Sequence, residues 1–98
     1  MMIKITITGI DHYMNVYDLD IHQKVILKKE PDNKFDTEAI AVYTDDFEKI
    51  GYVANSTNTV AKGTYSSGRL YDKMKDQNEA IIDVIIHKSA IAIVNIEE

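Results

Sequence analysis

Ninety-eight residues with no cysteine and a net charge of −5 make an acidic chain of single-domain size, read here as one domain over 1–98. A chain of this length buries roughly 60–70% of the surface its unfolded form exposes, enough to fold without covalent staples. The lack of cysteine excludes disulfides and thiolate metal centres, and the acidic balance is a handicap for any partner held mainly through phosphates.

The first residues alternate. Ile3, Ile5 and Ile7 point one way and Lys4, Thr6 and Thr8 the other, which predicts a half-buried strand ending near Gly9. This start holds no apolar run of the signal-peptide kind, and the apolar stretches around 81–86 and 90–94 are too short to cross a bilayer. The expectation is a soluble, cytoplasmic protein with no membrane partner. A second strand is predicted from Asp18 to Lys29, with Leu19 and Ile21 inward. Then comes a polar corner that contains Pro31, the only proline of the chain, beside Asp32, Asn33 and Asp36. Glu38 to Tyr43 reads as a third strand, Thr44-Asp45-Asp46 as a hairpin turn, and Phe47 to Ala54 as a fourth strand. Asn55 or Ser56 is placed to cap a short helix through Val60 and Lys62, and Ser66 or Ser67 a second through Arg69, Leu70, Tyr71 and Met74. Ala80 to His87 and Ser89 to Ile96 are two final strands. The expected class is mainly β with short helices: about six strands and two short helices, as a small β-barrel or an α+β domain.

Charge is unevenly spread. Asp36 to Glu48 holds five acidic residues and no basic one, whereas Lys24, Lys28, Lys29 and Lys34 crowd one stretch and Lys62, Arg69, Lys73 and Lys75 another. The two basic stretches form one face if the fold brings them together.

The corner supports two readings. In one it is structural: Pro31 pre-sets its φ, Asn33 suits a turn, Asp36 caps the turn ahead of Ala39, and Phe35 is a lid on the barrel. In the other it is a pocket for a nucleotide end. An exposed ring stacks on a base, and a carboxylate accepts a hydrogen bond from a sugar hydroxyl while repelling a phosphate. Elsewhere, Gly63 and Gly68 have the spacing of a phosphate loop. Arg69 and Leu70 replace its Lys and Ser/Thr, however, and no βαβ unit is expected, so an NTPase is rejected. A helix start rich in serine beside Arg69 still suits an anion, with a capped helix and a solvated arginine as the plainer account. Asp18, Asp20 and His22 would share one side of the second strand. They are read as its wet face rather than as a metal site, and no metal or cofactor is expected. No nucleophile constellation is present, so the chain is expected not to be an enzyme.

The order Glu30-Pro31-Asp32-Asn33, Phe35-Asp36, Ala39-Ile40-Ala41-Val42, then Ile50-Gly51-Tyr52-Val53 resembles the HIRAN domain, a family found in DNA-repair helicase proteins and as small free-standing bacterial and phage proteins. The resemblance covers about residues 2–76, and the strands in 79–96 are expected to complete the barrel. It implies a modified OB-like barrel that captures the free 3′-hydroxyl end of single-stranded DNA, as at a stalled fork. In that comparison Asp36 takes the place of the aspartate that holds the terminal hydroxyl. Phe35 stands for a stacking tyrosine, and Asn33 matches an asparagine of the same corner. Tyr13 matches an aromatic of the early segment, and Tyr52 takes the place of a histidine. Asp11 and His12 depart from the family's pattern, since Asp11 stands where an arginine faces phosphate. Lys34, Lys62 and Arg69 are the candidate phosphate contacts. The function implied is a non-catalytic single-stranded DNA-binding module in DNA repair or fork processing. Its rival is a protein-interaction module, docking on a helicase, a nuclease or a second copy of itself by pairing at a sheet edge.

Overall fold

A computed structural model describes residues 1–97 as a six-stranded antiparallel barrel with short helical turns. The strands are β1 (Met2–Thr8), β2 (Lys24–Lys29), β3 (Ile40–Thr44), β4 (Lys49–Val53), β5 (Gln77–Ile86) and β6 (Ser89–Asn95), and one helix, α1, spans Ser67–Tyr71. Their order around the barrel is β1-β4-β3-β2-β5-β6, which closes because β1 pairs with both β4 and β6. The architecture is the OB-like barrel that the corner and its flanking strands imply.

Period two explains most of the core. Ile3, Ile5 and Ile7 of β1 point inward and meet Val25, Leu27, Ile40, Val42, Ile82 and Val94. The opposite face of β1 departs from the expected alternation, because Thr6 is 2% exposed. The chain from 54 to 65 crosses over it: the Ala54 N–H donates to the Thr6 carbonyl at 2.8 Å, the Ala61 N–H donates to Thr6 Oγ1 at 3.1 Å, and the Thr64 hydroxyl lies 2.8 Å from that oxygen. This crossing covers the seam where β1 and β4 share only the pairs Ile7–Val53 and Thr8–Tyr52. At that seam Gly51 is required for close approach, since a Cβ there would sit 2.6 Å from the Thr8 carbonyl oxygen.

Three expectations are corrected. The second strand starts at Lys24 rather than Asp18. Asn15 caps a 3-10 turn at Val16–Asp18, a tight turn follows at Asp20–Gln23, and Ile21 is 46% exposed rather than inward. Asp18, Asp20 and His22 therefore do not share a strand face. Among the described residues no group of three or more His, Asp or Glu side chains is placed to hold a metal. The segment from Asn55 to Lys62 forms turns rather than a helix. Ser56 Oγ accepts the Asn58 N–H at 3.1 Å, and the Ala61 N–H goes to Thr6 instead of up a helix; short polar side chains compete with helical hydrogen bonds in this way. Finally, barrel closure reduces the edge available for docking by strand pairing to short stretches, such as the end of β5 after Ile82, which pairs with β6 alone. Among the described residues no helix is long and apolar enough to cross a membrane.

His22 adopts φ 73°. Left-handed backbone costs an L residue about 1–2 kcal/mol, and glycine adopts it freely at some entropic cost. His22→Gly is accordingly expected to raise stability by about 0.5–1 kcal/mol, readable as a shift of a few degrees in the thermal midpoint by circular dichroism.

Candidate functional site

The corner after β2 folds around Asn33. Its Oδ1 accepts the N–H of Phe35 at 2.9 Å and of Asp36 at 3.1 Å, while its Nδ2 donates to Glu30 Oε1 at 3.0 Å. One asparagine thus sets the path of the next three residues and ties it to the end of β2. That path places Phe35 in solvent, 97% exposed. A ring so exposed covers no core, which excludes the lid reading.

Asp36 is half-buried. Its Oδ1 accepts the Glu38 N–H at 2.8 Å, the local cap expected of it, and its Oδ2 accepts Asn55 Nδ2 at 2.9 Å. A carboxylate has about four acceptor positions on its two oxygens. These two bonds leave about half of that capacity for a ligand, so the structural role and the binding role coexist.

Below the corner lies a charged and hydrogen-bonded support. Glu30 faces Lys49, with Nζ 3.0 Å from Oε2, and accepts the Tyr52 hydroxyl at 2.9 Å, while Lys49 Nζ donates to the same hydroxyl at 2.9 Å. Burial pushes the Glu30 carboxyl up, but the hydrogen bonds from Asn33, Lys49 and Tyr52 with the Lys49 charge outweigh it and hold the carboxyl below its ordinary value. The Lys49 ammonium is raised, chiefly by its bond to the Tyr52 hydroxyl and against burial. Burial and the neighbouring Glu30 raise the Tyr52 phenol, against the Lys49 hydrogen bond and charge. The Tyr52 hydroxyl is therefore committed to this support, and its ring remains as a wall.

These parts enclose an open cleft of about 490 Å³. Of the sequence-predicted residues, Tyr13, Asn33, Phe35, Asp36 and Tyr52 line it together, although they come from three separate segments. Tyr13 reaches it from the end of a 3-10 turn at Ile10–His12, which is anchored by the buried Ile10. Lys34, Lys62 and Arg69 are exposed and do not line it; the Arg69 guanidinium lies 3.9 Å from the centre of the Tyr65 ring instead. The two basic stretches approach each other elsewhere, where Lys29 Nζ sits 4.3 Å from the Tyr71 ring centre and the Lys29 N–H donates to the Asp76 carbonyl. Asp11 does not line the cleft; its Oδ2 lies 3.5 Å from Lys88 Nζ, and both residues line a second cavity. Among the described residues lining the cleft, Asp36 alone carries a full charge.

Sequence reasoning missed Asn55, Ser56 and Thr59, which line the cleft from the crossing segment, and Glu30, which supports it. The first three lay in the stretch expected to be a helix. For Glu30 the signal was its position next to the lone proline; Lys49 and Tyr52 lie on β4, with β3 between it and β2.

Comparison with known proteins places the fold. The crystal structure of the HIRAN domain of human HLTF superposes with a TM-score of 0.70 at 15% identity, covering 97% of this chain and 74% of that one. The crystal structure of a protein from Lactobacillus plantarum gives a TM-score of 0.62 at 18% identity, covering 98% of this chain and 93% of that one. No curated protein matches the chain in sequence. The HIRAN domain family model matches residues 1–86, which takes in the corner, the cleft and five of the six strands, and on that match the chain belongs to the HIRAN domain family.

Proposed function

We propose that this chain is a non-catalytic single-domain module that binds single-stranded DNA by its 3′-hydroxyl end, with a place in DNA repair or fork processing. HIRAN domains are DNA-binding modules, which supports the ligand class. The observation that carries the finer reading is the pairing within one cleft of a ring 97% exposed, Phe35, with a half-buried carboxylate that keeps spare acceptor capacity, Asp36. Phe35 and Tyr13 stack on terminal bases, Tyr52 walls the pocket, and Asn33 holds the corner. A 3′-hydroxyl donates to Asp36; a 3′-phosphate meets that carboxylate, the one full charge among the described residues lining the cleft, and it is of the same sign. Lys34, Lys62 and Arg69 lie outside and serve phosphates further along the strand.

The test is fluorescence anisotropy at low salt with oligonucleotides that differ only at the 3′ end. The hydroxyl strand is expected to bind more tightly, and equal binding of the two would remove end recognition. No binding at low salt, with a dimer in light scattering, would favour the protein-interaction module. Phe35→Ala is expected to weaken binding by about 1–3 kcal/mol, the size of one base–aromatic contact. Its thermal midpoint should stay unchanged, because the ring packs against nothing. A lowered thermal midpoint with no loss of affinity would assign the ring a structural role.

A further inference from the structure

The segment Ser66-Ser67-Gly68-Arg69 suggested an anion site, but its polar groups are already engaged. Ser66 Oγ accepts the Arg69 N–H at 3.3 Å as the cap of α1, and Arg69 is stacked on Tyr65. Ser67 is fully buried; its hydroxyl donates to the Glu38 carbonyl at 2.6 Å and its N–H to the Ala54 carbonyl at 2.9 Å. The Gly68 N–H donates to Asn55 Oδ1 at 2.8 Å. The start of α1 is thus fastened to the two segments that supply the hydrogen-bond partners of Asp36, one through Glu38 and the other through Ala54–Asn55.

The Gly68 bond fixes the orientation of the Asn55 amide. Because the oxygen must accept the Gly68 N–H, the NH₂ is the end that faces Asp36. A Cβ at Gly68 would meet the movable carboxylate end of Glu38 at 2.8 Å and Asn55 Oδ1 at 3.4 Å, so the alignment is carried by the backbone N–H rather than by the absence of a side chain. With Oδ1 on the Glu38 N–H and Oδ2 on Asn55, the Asp36 carboxylate is held at both oxygens, so its remaining lone pairs keep fixed directions. Asn55 itself is exposed and adds little to the core.

We infer that Asn55, aligned by the Gly68 amide, is the positioning residue that gives Asp36 its selectivity between a hydroxyl and a phosphate at a strand end. This inference rests on the end-binding reading above. Without Asn55 the carboxylate loses one anchor, turns more freely and discriminates less.

Two measurements on the full chain test it. In the first, amide hydrogen exchange by NMR, Asn55→Ala is expected to speed exchange of the Gly68 N–H about three- to tenfold, the equivalent of one ordinary hydrogen bond. Unchanged exchange overturns the alignment. In the second, the ratio of affinities for 3′-hydroxyl and 3′-phosphate strands is expected to fall about three- to tenfold in Asn55→Ala. The thermal midpoint of Asn55→Ala should fall by no more than a few degrees, since both of its hydrogen bonds are exposed to solvent. A normal preference in the wild type that persists undiminished in Asn55→Ala overturns this inference and leaves the end-binding reading standing. A wild type without preference overturns both, while the exchange measurement still reports whether Asn55 holds Gly68.

Discussion

Asp36→Ala is expected to make the protein bind 3′-hydroxyl and 3′-phosphate strands equally. A hydrogen bond to a charged group contributes about 1.5–3 kcal/mol, so the hydroxyl strand should lose roughly ten- to hundredfold in affinity. The phosphate strand should gain, because the charge that repels it is gone. The variant also loses the cap on the Glu38 N–H and the partner of Asn55. About 1 kcal/mol of stability goes with them, or about 4–8 °C in the thermal midpoint for a domain of this size. The preference is therefore to be read well below that midpoint. Asp36→Asn separates the two effects: it can keep an acceptor for the Glu38 N–H, yet it carries no charge to repel phosphate.

Glu30→Ala is expected to cost more stability than Asp36→Ala. It strands three donors at once: Asn33 Nδ2, Lys49 Nζ and the Tyr52 hydroxyl. The Glu30 and Lys49 side chains are only 24% and 29% exposed, so water replaces the lost acceptor poorly. An expected cost of about 2–3 kcal/mol follows, which lowers the thermal midpoint by about 10–20 °C. DNA binding should weaken as well, because Asn33 links this support to Phe35 and Asp36. The same carboxylate gives the wild type an acid-sensitive step. Its folded pKa lies below the ordinary 4.5, so the stability it contributes is complete above that pH. That contribution fades as the pH falls through the lower folded value. Midpoints measured downward from pH 6 should drop in the wild type below about pH 5, and less steeply in Glu30→Gln. Parallel curves for the two proteins would count against the support.

Much of the barrel can be read along the chain, because period-two alternation in β1 and the dense apolar runs of the other strands are local signals. The corner was legible for the same reason: Pro31, Asn33 and Asp36 act on their own backbone within three residues. Tertiary contacts decided what was missed. Thr6 has the look of a surface residue in an alternating strand, and it is buried because the chain some fifty residues on crosses it. Ser56, Asn58 and Thr59 carry a helix-start pattern, but their side chains satisfy the local backbone, and β1 takes the Ala61 N–H that would have continued a helix. Of the cleft, the aromatic and acidic walls were named through the resemblance to the HIRAN domain, because they fall in or near its motif residues. The Glu30–Lys49–Tyr52 support and the Asn55 contact were not, since they join residues far apart along the chain and present no periodicity. Arg69 sits in a suggestive run, yet it packs on Tyr65 beside the crossing rather than in the cleft.

Titrating isotope-labelled protein with a short 3′-hydroxyl oligonucleotide and following amide shifts by NMR examines the cleft itself. The largest changes are expected at Tyr13, Asn33, Phe35, Asp36, Tyr52 and Asn55, and they should collapse when the same strand carries a 3′-phosphate. Shifts confined to the basic surface around Lys29 and Lys73, identical for both strand ends, would contradict capture of a DNA terminus in this cleft.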